Sequence, residues 1–353
     1  MARPTPSGPP TTGTLGLRAT SGAGVRVSVV NEGTISEEQC ERFAVAFDTI
    51  CDNMERVVQG KRDVVEKTLL TLVAGGHLLV EDVPGVGKTT LAKALAHSVG
   101  ATLGRIQFTP DLLPADVLGV SVWNRSDSSF EFRPGPVFTG LVLADEINRA
   151  SPKTQSALLE AMAERQVTVD GRSHRLPLPF MVMATQNPVD HEGTYPLPES
   201  QLDRFLLRIA VGYPTREAEL AILETHEVDG LIDELGPVAS VDDVLRMSAM
   251  VPRVHLDPDL RAYLVSLADA TRRHPAVALG MSPRATLSLQ RVARARAIGQ
   301  GRPYATDDDV KAVAVEVVAH RLLLRPEAQL QGSTPERVVT DVLAAVPVPR
   351  DRR

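Results

Sequence analysis

The feature that most constrains this chain is HLLVEDVPGVGKTTLAKALAHSVG, residues 77–100. An apolar run enters a Gly/Pro turn, then a helical pattern that opens at Lys-Thr and stops at Gly100. Strand, glycine-rich turn, Lys-Thr and helix form the context in which a loop holds phosphate. Glycines let successive N–H groups point inward at anionic oxygens, and the helix offers its positive end to the same anion. Pro84, Gly85, Val86, Gly87 and Thr90 then belong to the cradle, Lys88 reaches the outer phosphates, and the Thr89 hydroxyl ligates Mg²⁺. The full pattern G-x-x-x-x-G-K-[ST] has Gly where this chain has Asp82. Asp82 must therefore keep a backbone geometry tolerable to a non-Gly residue, with its carboxylate turned away from the phosphates. A strand–turn–helix with no ligand is the competing reading of the string taken by itself.

The surroundings extend the pattern. RIQF (105–108), LVLAD (141–145), FMVMAT (180–185) and FLLRIAV (205–211) are short strand candidates, separated by helical stretches such as SPKTQSALLEAMAER (151–165). Strands alternating with helices predict an α/β fold, a doubly wound, mostly parallel sheet. SVWNRSDSSFEF (121–132) and QVTVDGRSHRLPL (166–178) read as hairpins, the second turning at Asp170–Gly171. Ahead of the sheet, a helix capped by Ser36 and a second over 61–74 are expected. After Tyr213–Pro214 only helical patterns remain, at about 215–228, 241–251, 257–273, 283–298 and 306–323. The expected division is a disordered Pro/Gly/Ser/Thr-rich tail (1–34), an α/β domain (35–213), an all-α domain (214–325) and a C-terminal extension (326–353) with one short helix at 334–345.

Composition narrows the function classes. With 353 residues and 43% hydrophobic content, whole-chain disorder is excluded. Net charge is −6, from 38 basic and 44 acidic residues, which argues against non-specific duplex binding. Cys40 and Cys51 match no metal or redox spacing and read as buried thiols in a reducing compartment. The N-terminus lacks the apolar core of a signal peptide, and the most apolar early stretch is too short and polar to span a bilayer. A cytoplasmic protein without membrane insertion is expected.

Two further strand ends carry polar groups. In LVLADEINRA (141–150), Asp145 is placed to hold Mg²⁺ through its water shell, and Glu146 to activate or position a water. In FMVMATQNPVD (180–190), Asn187 can bond a terminal phosphate or that water, although Asn-Pro is also a turn former.

Five segments, EDVPGVGKTT, LVLADEINRA, ATQNP, EGTYPLPESQLDRF and GMSPRA, together resemble the MoxR family of AAA+ ATPases in order and spacing, from about Val57 to Arg325. The resemblance implies an ATP-binding P-loop domain of the ASCE/AAA+ class, a helical lid, and a homo-oligomeric ring, expected hexameric, with ATP and Mg²⁺ between neighbours. It implies a helix-2 insert at 109–135 and a hairpin insertion before the sensor strand at 166–178. Lys88 and Thr89 fall in Walker A, Asp145 and Glu146 in Walker B, and Asn187 at sensor 1. Arg204 of LDRF matches the arginine finger that acts on the neighbour's nucleotide, Arg284 of SPRA matches sensor 2, and Val58 lies where such enzymes bind adenine. Partners with a von Willebrand factor A domain, and a chaperone-like role in maturing other complexes, are also implied.

Two other readings compete: a nucleotide-gated scaffold with little turnover, and a nucleic-acid-stimulated motor. Glu146 and Arg204 together favour hydrolysis over the scaffold. The lid helix carrying Arg284, Arg291, Arg294 and Arg296 is basic, but it lacks aromatics for base stacking. A solvated face with one nucleotide contact is the expected role of that helix. No N-K-x-D motif follows the sheet, which counts against GTP.

Overall fold

The structure is a computed structural model; it describes residues 35–188, 193–216, 219–220, 231–232 and 234–348. The expected tail at 1–34, most of the expected helix at 215–228, and the last five residues lie outside the described residues.

Ser36 starts the first helix, α1 (Glu37–Glu55), by a reciprocal cap: its hydroxyl accepts from the Gln39 amide, and the Gln39 side chain accepts from the Ser36 amide. α2 (Arg62–Val73) follows, then β1 (Leu78–Glu81) and α3 (Lys88–Ser98). β2 (Leu103–Gln107), β5 (Leu141–Asp145), β8 (Met181–Gln186) and β9 (Leu207–Ile209) join β1 in a parallel five-stranded sheet of order β2-β5-β8-β1-β9. Between them lie α4 (Pro114–Leu118), the hairpin β3 (Gly119–Asn124) and β4 (Ser129–Pro134), α5 (Pro152–Glu164), the hairpin β6 (Gln166–Val169) and β7 (Arg172–Arg175), and α6 (Glu199–Leu202).

Both expected hairpins are present. The second turns where Asp170 and Gly171 both take positive φ, 50° and 74°, as a two-residue turn between right-twisted strands requires. The two hairpins touch: Phe132 of β4 stacks on His174 of β7, with ring centroids 4.0 Å apart.

Alternate residues of each central strand serve opposite faces. Leu78, Val80, Leu141, Leu143, Met181 and Met183 enter one core, whereas Leu79, Val142, Ala144, Val182 and Ala184 enter the other. α5 covers the second face; α1, α2 and α3 cover the first. This is the arrangement that uninterrupted apolar strand runs require, because strands covered on both sides cannot alternate with polar residues. Cys40 and Cys51 lie buried and unbridged in the first core, where burial raises the Cys51 thiol far above its usual range.

The C-terminal part packs on that same first core through α7 (Val241–Met250), α8 (Pro258–Arg273), α9 (Pro283–Gly299), α10 (Asp307–Val318) and α12 (Pro335–Ala345), with α11 (Pro326–Leu330) between the last two. One feature differs from the helical reading. Val277–Leu279 (β10) and Leu323–Leu324 (β11) form a short antiparallel ladder, so the helix expected over 306–323 ends at Val318. Three residues paired with two leave no period-2 signal, and the partners lie 44 and 47 positions apart.

Because the sheet is parallel, its two edges are chemically distinct. The segments after β1, β5 and β8 emerge at the C-terminal edge. The segments before β1 and β9, Gly75–His77 and Arg204–Leu206, lie at the N-terminal edge, joined by the Leu206 amide donating to the His77 carbonyl at 2.7 Å.

Candidate active site

At the C-terminal edge, residues 82–87 turn from β1 into α3. Gly85 and Gly87 hold φ of 84° and 90°, the left-handed region that side-chain-bearing residues rarely adopt. A Cβ on Gly85 would meet nothing within 4 Å, so conformation rather than crowding demands glycine there. Gly87 directly precedes Lys88, the first residue of α3, which puts unpaired helix amides beneath the loop. Lys88 Nζ donates to the carbonyls of Asp82 (2.5 Å) and Val83 (3.2 Å). Thr89 and Thr90 follow in the first turn, partly buried.

Asp82 sits where the generic pattern has glycine, and its backbone keeps negative φ. Its carboxylate accepts the Val83 amide at 2.8 Å and the Gly212 amide at 2.6 Å. The side chain therefore braces the loop against the segment after β9. A pocket of about 200 Å³ opens there, lined by Val57, Val58, Gln59, Lys61, Gly85, Val86, Gly87, Thr90, Val211, Gly212 and Pro214. The Lys61 ammonium closes the turn by donating to the Tyr213 carbonyl at 2.7 Å. Only Val58 and the loop residues were legible in advance. The others share no motif with the loop; the Gly212–Tyr213–Pro214 break was the available signal.

Asp145 ends β5 beside this loop. It accepts the Thr185 hydroxyl at 2.7 Å and pairs with Arg105 of β2 at 2.9 Å. Glu146 takes φ 56°, a left-handed conformation costing a non-Gly residue on the order of 1 kcal/mol. Its amide is held by Thr185 Oγ1 at 2.9 Å, and its carboxylate receives Gln107 Nε2 at 3.0 Å and Arg149 Nε at 3.1 Å. Thr185, Arg105 and Gln107 were missed, since neighbouring strands bring them in and no local spacing marks them. Asn187 follows β8, 6% exposed, next to Gln186, whose carbonyl accepts the Asp82 amide at 3.2 Å. Loop, acid pair and Asn187 thus meet on adjacent strands.

Arg204 and Arg284 line no part of the pocket. Arg204 precedes β9 at the N-terminal edge and donates to the Leu159 carbonyl of α5. Ser282 caps α9 by accepting the Ala285 amide, which places Arg284 exposed in the first turn. The two arginines are linked through Arg321. Its guanidinium bonds the Phe205 carbonyl (2.7 Å) and Ser288 of α9 (3.3 Å), and its Nε lies 2.9 Å from Asp203.

Residues 77–207 match the sequence profile of the ATPase family associated with various cellular activities (AAA), and 269–342 match the AAA lid domain. The chain is 50% identical to the YeaC protein of Bacillus subtilis, over 85% of this chain and 94% of that one. It is 42% identical to chaperone MoxR1 of Mycobacterium tuberculosis, over 84% of this chain and 81% of that one. Protein MoxR of Paracoccus denitrificans is 32% identical over 83% of this chain and 93% of its own. A crystal structure from Cytophaga hutchinsonii superposes with a TM-score of 0.83 at 36% identity, covering 89% of this chain and 98% of that one. With the phosphate-type loop, the strand-end acids and the helical lid, these relatives establish that the chain belongs to the MoxR family of AAA+ ATPases.

Proposed function

We propose that this chain hydrolyses ATP at a site completed by a neighbouring copy, and uses the cycle to remodel partner protein complexes. The observation that carries the reading is the separation of its parts. The loop and acids occupy one edge of the sheet, while Arg204 and Arg284 occupy the other. Arginines that cannot serve their own loop are suited to a neighbour's, and head-to-tail contact is the geometry that closes a ring.

The residues fit a magnesium-bound triphosphate. Two left-handed glycines shape a cradle of amides, Lys88 brings a cation, and Thr89 and Asp145 supply oxygens of the kind Mg²⁺ prefers. Bound there, Mg²⁺ would neutralise charge on the phosphate oxygens. Val57 and Val58, buried beside the loop, offer an apolar surface for the base. Glu146 is the residue to orient and deprotonate the attacking water, which requires its release from Gln107 and Arg149. Asn187 would bond the terminal phosphate or that water. Arg204 and Arg284 would place permanent charge on the equatorial oxygens of the transition state.

Partner remodelling is supported by the hairpins. Trp123 and Phe130 pack edge to face at 5.1 Å, yet remain 48% and 65% exposed. Exposed aromatics on a ribbon fit a protein partner, of which a von Willebrand factor A domain is the proposed kind. A hexameric ring and a cytoplasmic location complete the proposal. Among the described residues, no helix is long and apolar enough to cross a membrane.

Phosphate release from Mg-ATP by the purified chain, set against the Glu146→Gln variant, tests hydrolysis. The expected result is release by the wild type and stable ATP retention by the variant. Absence of release at every protein concentration would favour a nucleotide-gated scaffold instead.

A further inference from the structure

The N-terminal edge carries more positive charge than one finger and one lid arginine require. On α9, Arg284, Ser288 and Arg291 stand at i, i+4 and i+7, one stripe of the helix. Arg284 and Arg291 are both exposed. Arg321 docks on Ser288 in the middle of that stripe and on the Phe205 carbonyl next to Arg204. Arg165, at the end of α5, donates to the Gly75 carbonyl, two residues from the His77 carbonyl that pairs with Leu206. Arg204 and Arg321 thus meet at the segment entering β9, Arg321 joins it to the helix stripe of Arg284 and Arg291, and Arg165 lies within electrostatic reach of Arg291.

They are poorly compensated. Asp203 neutralises Arg321, but among the described residues Arg165, Arg204, Arg284 and Arg291 have no ion pair. Burial and neighbouring positive charge act in the same direction on two of them. Desolvation first, then the charges of Arg165 and Arg284, lower the Arg291 pKa from its ordinary value. Burial, opposed by Asp203 and aided by Arg284, brings Arg321 down to about 10. Like charges gathered without counter-charge repel one another, and a polyanion arriving from outside relieves that repulsion. The stripe is polar and carries no aromatics, which suits phosphate oxygens better than bases.

We propose that Arg291, with Arg165 beside it, belongs to a single polyphosphate-binding face with Arg204 and Arg284, and that Arg291 contacts the triphosphate held by the adjacent copy. This rests on the reading that the site is completed in trans. Arg321 is the positioning residue, because it ties the Arg284–Arg291 stripe to the segment carrying Arg204.

The test is a mixing experiment on the full chain. R291A, R291K and R204A are assayed for ATP turnover alone and with an equal amount of K88A, whose loop is disabled but whose arginine face is intact. Binding of a fluorescent ATP analogue is measured on chains too dilute to associate. R291A should lose about tenfold or more in kcat, with dilute-chain affinity held within about twofold, and R291K should recover part of the loss. Adding K88A should restore turnover to R204A and R291A alike. The inference is overturned if R291A turns over like the wild type, if its dilute-chain affinity falls with its kcat, or if K88A repairs R204A but not R291A. If K88A repairs neither, the trans reading fails and the role of Arg291 with it.

Discussion

The two edges of the sheet treat charge in opposite ways. At the C-terminal edge, each ionised group is answered within the chain: Lys88 by loop carbonyls, Asp82 by two amides, Asp145 by Arg105 and Thr185, Glu146 by Gln107 and Arg149. At the N-terminal edge, Arg204 and Arg165 bond backbone carbonyls alone, Arg284 and Arg291 are exposed, and among the described residues none of the four has a carboxylate partner. The loop and acids of the first edge are bonded to one another and to their own chain. The second is a surplus of cations waiting on an anion the chain does not itself provide there. On the proposed function, turnover would belong to the contact between copies and nucleotide binding to each chain.

The largest effect that could break this division is on Arg204. Arg204→Ala should leave dilute-chain nucleotide affinity unchanged and reduce kcat by about 10³-fold or more, as loss of a trans arginine does in other NTPases. An unchanged steady-state rate would erase the distinction between the edges. Lys88→Ala should do the reverse and abolish high-affinity binding at any protein concentration, measured by titration calorimetry.

Acid sharpens the comparison next, because buried histidines underlie the arginine edge. His77 accepts the Val182 amide on Nδ1 and therefore donates from Nε2 to the Met162 carbonyl, so only its neutral form fits. Burial, only partly opposed by the Met162 bond, lowers its pKa to about 4. His320, on the Phe205 carbonyl, is lowered in the same direction by burial and by Arg321. Between the ordinary pKa and the lowered one, the unfolded chain binds protons that the folded chain refuses. Stability is thus full above about pH 6.5 and declines as pH falls, by about 2 kcal/mol at pH 5 from His77 alone. Thermal melts from pH 7.5 to 5 should show falling Tm; a flat profile would mean these histidines are not held neutral. Hydrogen exchange at pH 5 should rise first at residues 204–206, before it rises in the loop.

The smallest effect concerns Asp82. Asp82→Ala removes the brace to Gly212 and should weaken nucleotide binding by a few fold, on the order of 1 kcal/mol, without touching the arginine edge. Equal affinity in the variant would show that the brace is idle.

These edges differed in how legible they were. The loop is a local object: seven consecutive residues, a strand before and a helix after, so its chemistry follows from spacing. The strand-end acids and both hairpins are similarly local. Asp82 shows the limit. That its carboxylate must turn away followed from the missing glycine, but its grip on Gly212, 130 positions on, did not. Thr185, which fixes both Asp145 and Glu146, lies on a neighbouring strand. The arginine edge is the extreme case. Arg321 meets Phe205 across 116 positions and Ser288 across 33, and nothing in its own neighbourhood announces either contact. Helical periodicity predicts a solvated basic face with one nucleotide contact for the lid helix, because it cannot reveal which other arginines converge on it.

The most direct measurement is the turnover of an equimolar mixture of Lys88→Ala and Arg204→Ala chains. Each alone should be nearly silent, one lacking a receptacle and the other a finger. Mixed, they should release phosphate well above the sum of the two, because an intact loop then meets an intact Arg204 across the contact. A mixture no faster than that sum would contradict a site shared between copies.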